Sequence, residues 1–138
     1  MFKHILVAYD GSAPAEKAFD VALRLASAFK GTVRVVSVVQ PPEPAADVET
    51  EALIEAGREH FETLLAQLAK RAAMADVPIE TEILFGHPAE LVLAVAEQRG
   101  VDHIVVGHKG KGLLRRWLVG SVSRVVVDHA RISVTVVR

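Results

Sequence analysis

Between Gly107 and Ser123 the chain reads GHKGKGLLRRWLVGSVS, which places four glycines, four Lys or Arg and two serines within seventeen residues. Glycines at 107, 110 and 112 let the backbone turn its N–H groups inward as an anion-binding concavity. A helix headed by Gly120-Ser121 would add the positive end of its dipole. The chemistry favoured is phosphate binding. Ser121 and Ser123 offer hydroxyls for a phosphate oxygen or a metal-bound water, and Lys109, Lys111, Arg115 and Arg116 add local positive charge. A second polar turn, Asp10-Gly11-Ser12, follows the first apolar run of the chain. Its carboxylate can cap the next helix as an Asx turn, and can also reach a ligand.

Each of these residues has a plainer role open to it. Ser121 can act only as a helix N-cap, Arg115 and Arg116 as solvated surface, and Trp117, beside Leu118 and Val119, as packing. Standard phosphate motifs do not match. Gly107 and Gly112 have the P-loop spacing, but Leu113 stands at the lysine position, and the dinucleotide fingerprint fails because Gly110-x-Gly112 is followed by Arg115. Nor do the six histidines make a metal site. His103 and His108 lie at opposite ends of one strand, about 16 Å apart at roughly 3.3 Å per residue, too far to share an ion. His4 and His103 begin strands and read as structural. His60 and His87 lack a partner at ligand spacing, and His129 suits a helix end.

The elements that must position these residues alternate between two periods. HILVAY (His4 to Tyr9) reads as a buried strand. A helix follows, capped by Ser12 or Ala13 ahead of Pro14, with Ala15, Ala18, Phe19, Ala22, Ala26 and Phe29 on its apolar stripe and its end at Gly31. TVRVVSVV (Thr32 to Val39) is a second strand, and QPPEPAAD a proline loop. A long helix spans roughly Val48 to Ala75 through Ile54, Phe61, Leu65, Leu68 and Ala72, with Gly57 weakening its first half. IETEILF (Ile79 to Phe85) reads as an edge strand because Glu80 and Glu82 interrupt it. A helix opens after Gly86-His87-Pro88 and stops at Gly100, Asp102 to Gly107 is a fourth strand, SVSRVVVDHA a last helix, and Ile132 to Arg138 a fifth strand.

The order β-α-β-α-β-α-β-α-β with right-handed crossovers predicts an α/β fold, a parallel sheet with helices on both faces. Ligands of such sheets bind beyond the carboxyl ends of the strands, where the winding reverses. A strand order of 3-2-1-4-5 would bring the Asp10 turn and the Gly107 stretch side by side.

At 138 residues, 51% apolar and 24% charged, the chain has the size of one globular domain. Its formal charge of -1 argues against nucleic-acid or membrane binding. With no cysteine, disulfides and thiolate chemistry are excluded. No run approaches the roughly 20 apolar residues of a membrane span, and the strand-like start leaves no expected signal peptide, so a cytoplasmic location is the default.

Gly107, Gly110, Gly120 and Ser121 follow the spacing Gly, two residues, Gly, nine residues, Gly, Ser or Thr. With ILVAYDGS at the start, GHPAELVLAVAEQRGVDHIVVG before the loop and GSVSRVVVDHA and VTVVR at the end, the chain resembles the nucleotide-binding branch of the universal stress proteins over 1–138, as a single domain. It departs at Ser133, where members commonly carry Pro.

The resemblance implies a Rossmann-like fold of the adenine nucleotide alpha hydrolase type, with a five-stranded parallel sheet of order 3-2-1-4-5. It also implies ATP binding with Mg or Mn and a stress-response or regulatory role. Carried over by position, Ala8, Asp10 and Val38 surround adenine and ribose, Val38 mainly through its backbone. Val106 and Gly107 line the crevice, and Gly110, Gly120, Ser121 and Val122 hold the phosphates. The resemblance further implies a homodimer built by antiparallel pairing of Val134 to Val137, and leaves room for a protein partner the sequence does not identify. No general base stands beside the glycines, so catalysis would amount at most to slow ATP hydrolysis. The rival reading is a dimeric interaction module that binds no nucleotide.

Overall fold

Continuous runs of Val, Ile and Leu give strands buried on both faces, and the Ala- and Leu-bearing stripes between them give the helices that bury them. The computed structural model of the chain describes residues 1–41, 48–108 and 121–138, with the backbone alone at Val48 and Ser121. Among the described residues the elements are β1 (His4–Ala8), α1 (Ala13–Phe29), β2 (Thr32–Val39), α2 (Val48–Met74), β3 (Ile79–Phe85), α3 (Pro88–Gln98), β4 (His103–Gly107), α4 (Ser121–His129) and β5 (Ser133–Val137). The sheet is Rossmann-like, with order β3-β2-β1-β4-β5 and every pairing parallel, as expected.

The alternation of side chains along each strand divides the core in two. Ile5, Val7, Val33, Val35 and Val105 face α1 and α2, where they pack with Ala18, Phe19, Ala22, Leu65 and Leu68. Leu6, Val36, Ile104 and Val106 face the other way, against Val92, Val95 and Ala96 of α3 and Val126 of α4. The edge position of β3 agrees with its pattern. Its Glu80 and Glu82 both pair with Arg34 of β2, the Glu82 contact measuring 3.2 Å, so the polar residues that mark the edge are also used across the strands.

Two glycines play other parts than their sequence context suggests. α1 ends at Phe29, and the residue in the left-handed region is Lys30 (φ 55°), so Gly31 is not the turning residue. Gly31 is needed because a Cβ there would stand 2.3 Å from the carbonyl oxygen of Phe2. Gly57 does not break α2. It lets the helix approach β2, where an added Cβ would lie 3.0 Å from Val39 Cγ1.

Candidate functional site

β1 lies at the centre of the sheet beside β4, and the helices that follow them, α1 and α4, pack on opposite faces. The crevice between two such helices is where an α/β sheet takes its ligand. The register Ile5↔His103, Leu6↔Ile104, Val7↔Val105 leads on to Ala8 and Val106 at the carboxyl ends. Beyond Ala8, Tyr9 N–H still bonds Val36 O at 2.9 Å, and the chain then turns through Asp10-Gly11-Ser12.

That turn is an Asx turn closed by an N-cap. Asp10 Oδ1 accepts the Ser12 N–H at 2.9 Å, and Ser12 Oγ accepts the Ala15 N–H at 3.3 Å, starting α1 with Pro14 in its first turn. Asp10 itself is exposed. Gly107 ends β4 directly against this helix start. A Cβ there would sit 2.7 Å from the Pro14 carbonyl carbon and Cβ, so any side chain would separate the two turns.

Ala8, Val38, Val106 and Val122, from β1, β2, β4 and α4, share one apolar cluster on the α3 and α4 side, with Leu84 and Leu93 packed against it. Val106 is buried, while Ala8, Val38 and Val122 are half-buried. His108 N–H donates to Val137 O at 2.7 Å, and the Ser123 hydroxyl donates to His108 O at 3.5 Å, which ties the exit of β4 to β5 and α4. Ser121 is the first residue of α4. Gly110, Gly120 and the Ser121 side chain lie outside the described residues, as do Lys109, Lys111, Arg115, Arg116 and Trp117.

Two residues behind the turn escape a reading by motif. Ser37, fully buried, donates its hydroxyl to Tyr9 O at 2.7 Å. A lone serine within the apolar run TVRVVSVV was the signal for it. Tyr9 donates its hydroxyl to Glu16, whose other oxygen accepts Arg71 Nη1 at 2.6 Å, and Arg71 also bonds Asp20. Burial, then the Glu16 carboxylate, push the Tyr9 phenol above its usual range, so it stays a donor. Burial acts to raise Glu16, but the hydrogen bonds from Tyr9 and Arg71 and the Arg71 charge prevail, and the carboxyl is held below its usual range.

His4 and His103 sit at the opposite end of the sheet from this crevice, on paired strands. His103 is 3% exposed, with Nε2 at 2.7 Å from Thr135 Oγ1 and its ring edge-on to Phe2 at 4.6 Å. Among the described residues no group of three or more His, Cys, Asp or Glu is placed to hold a metal ion. None of their helices is long and apolar enough to cross a membrane.

Comparison with known proteins decides the family. A profile of the universal stress protein family matches residues 1–138. The chain belongs to the universal stress protein family. A universal stress protein of Methanocaldococcus jannaschii is 34% identical over 145 residues, covering 100% of this chain and 83% of that one. Among solved structures, universal stress protein UspA from Lactobacillus plantarum superposes with a TM-score of 0.90 at 31% identity, over 99% of this chain and 98% of its own. A universal stress protein family member from Burkholderia pseudomallei gives 0.80 at 28%, over 99% and 96%. More distant universal stress proteins sharing the fold, at 21–24% identity, were solved with cAMP, with AMP (from Arabidopsis thaliana) and with dAMP (from Archaeoglobus fulgidus).

Proposed function

We propose that this universal stress protein binds an adenine nucleotide, ATP foremost, beyond the carboxyl ends of β1 and β4, and acts as a homodimeric regulator in a stress response. The observation that carries the reading is that Ala8, Val38, Val106 and Val122 all belong to the apolar cluster on the α3 and α4 side, with the exposed Asp10 turn following β1 and Gly107 ending β4. A purine needs such a patch for its faces and polar groups at its rim. The neighbours solved with cAMP, AMP and dAMP add support at the level of the family.

In this reading Ala8 and the Val38 backbone flank the base, and Asp10 accepts from a ribose hydroxyl with the oxygen not engaged by Ser12. Gly107 and Val106 line the crevice. Gly110, Gly120 and Val122 offer backbone N–H groups to the phosphates, and Ser121 its hydroxyl, at the N-terminus of α4, whose dipole favours negative charge. A magnesium or manganese ion accompanying ATP would supply charge neutralisation along the triphosphate. With no protein cage of acidic ligands among the described residues, it would be held chiefly by phosphate oxygens and water.

Binding, with turnover at most slow, is the activity. The homodimer would form by antiparallel pairing of Val134 to Val137 of β5, an edge strand of the sheet. The test is to purify the protein without added nucleotide, denature it and identify what is released by mass, then refill the emptied protein. An adenine nucleotide, or uptake of ATP by protein that carried nothing, is expected. A stoichiometric ligand of another class, or an emptied protein that takes up no ATP, would overturn the reading.

A further inference from the structure

Tyr9 immediately precedes Asp10, and Glu16 lies four residues beyond Ser12, so the hydrogen bond from the Tyr9 hydroxyl to Glu16 Oε1 closes a short loop around the whole turn. A phenol donating to a carboxylate is among the stronger neutral-to-ion hydrogen bonds. The Tyr9 end of this clasp is fixed independently. Its N–H bonds Val36 O at 2.9 Å, its carbonyl accepts from Ser37 at 2.7 Å, and its side chain is buried. The Glu16 end is fixed from α2. Arg71 donates to Glu16 Oε2 at 2.6 Å and to Asp20, and its guanidinium lies 4.9 Å from the centre of the Phe19 ring. Inside the clasped loop is Pro14, the residue on which Gly107 rests too closely for any Cβ.

We propose that the Tyr9–Glu16 clasp, anchored to α2 by Arg71, is a positioning device that holds the turn from Asp10 to Pro14 against the Gly107 end of β4 and so sets the affinity of the nucleotide site. The proposal rests on the nucleotide reading above and adds to it three residues that touch no ligand. Holding a binding turn in its bound geometry removes ordering cost from association, so loosening the clasp weakens binding without removing any ligand contact. The clasp also makes α2 a lever on the site, because Arg71 belongs to the last turn of that helix.

Tyr9→Phe deletes the hydroxyl and keeps the buried ring, and Arg71→Gln removes the anchor. Arg58→Gln, whose exposed partners Glu55 and Glu62 lie on α2 away from the clasp, is the control. Each is titrated with ATP and magnesium by calorimetry, and the Gly11 and Ser12 amides are followed by hydrogen exchange. Tyr9→Phe and Arg71→Gln are expected to weaken ATP binding about tenfold and to accelerate exchange at Ser12, with Arg58→Gln unchanged. Asp10→Asn should then cost less affinity in the Tyr9→Phe protein than in the wild type, a coupling that mere loss of stability does not produce. Unchanged affinity and exchange in both clasp variants, or strictly additive effects of Tyr9 and Asp10, would overturn the proposal. If the wild type takes up no ATP, the nucleotide reading fails and exchange decides the clasp alone. Faster exchange at Gly11 and Ser12 in Tyr9→Phe supports it, and unchanged exchange rejects it.

Discussion

At the scale of single residues, Asp10 carries two separable tasks. Its Oδ1 closes the Asx turn on Ser12, and its remaining oxygen is the proposed ribose acceptor. Asn keeps an acceptor for the turn and replaces the other oxygen with a donor. Asp10→Asn is therefore expected to unfold within about 0.5 kcal/mol of the wild type in denaturant while binding ATP at least about fivefold more weakly. Equal losses of stability and affinity would reduce Asp10 to a helix cap.

His103 makes a different prediction, one of stability against pH. Burial pushes its imidazole below the ordinary histidine range, although Asp102 pulls in the opposite direction. The protonated ring carries an N–H on Nδ1, which is buried without a hydrogen-bond partner among the described residues. The unfolded chain takes up this proton near pH 6.5 and the folded chain only at lower pH. The stabilisation is thus complete above about 6.5 and is lost as pH falls through the folded value. Thermal melts of the wild type should show this loss as pH is lowered below about 6.5. The His103→Leu protein should have a shallower dependence there, and an identical slope would contradict the assignment.

At the scale of elements, the start of α1 and the end of β4 are joined by packing. Gly107→Ala inserts a methyl group 2.7 Å from Pro14, pushing the start of α1 away from the end of β4. Overpacking of this kind costs about 1–3 kcal/mol, to be read from chemical unfolding, and should weaken ATP binding as well. An alanine variant as stable as the wild type would show that the contact yields. The elements themselves were legible because each carries its own period: unbroken apolar strands, an Ala-rich α1 behind Ser12 and Pro14, and glutamates marking β3 as the edge. Right-handed crossovers made the parallel sheet legible, and its strand order followed from the resemblance to the universal stress proteins. What the sequence concealed were contacts between distant segments. Nothing local in Gly31 or Gly57 announces Phe2 and Val39 as the reasons for a missing side chain, and Arg71 lies 55 residues from Glu16. Of the candidate site, Ala8, Val38, Val106 and Val122 belong to one apolar cluster, whereas the hydrogen bonds of Ser37 and Tyr9 behind the turn are encoded by no motif.

At the scale of the whole molecule, β5 ends the sheet on one side, and among the described residues its outer edge is unpaired, with Val136 37% exposed. Edge strands of this kind are covered in stable proteins, and a second copy of the chain would cover this one. Val136→Lys is expected to convert a dimer into a monomer in sedimentation at micromolar protein, and a wild type that sediments as a monomer would remove the dimer from the account. Val136 stands in register with Val106 of the proposed crevice, so ATP binding is to be measured in the same variant. The proposed ligand of the crevice beyond β1 and β4 is ATP. Its most direct test is equilibrium titration of the nucleotide-free protein with ATP and magnesium, alongside Gly120→Val and Ser121→Ala. Saturable binding of one ATP per chain, abolished in Gly120→Val and weakened in Ser121→Ala, is expected. An absence of binding at millimolar ATP, or binding indifferent to both substitutions, would contradict it.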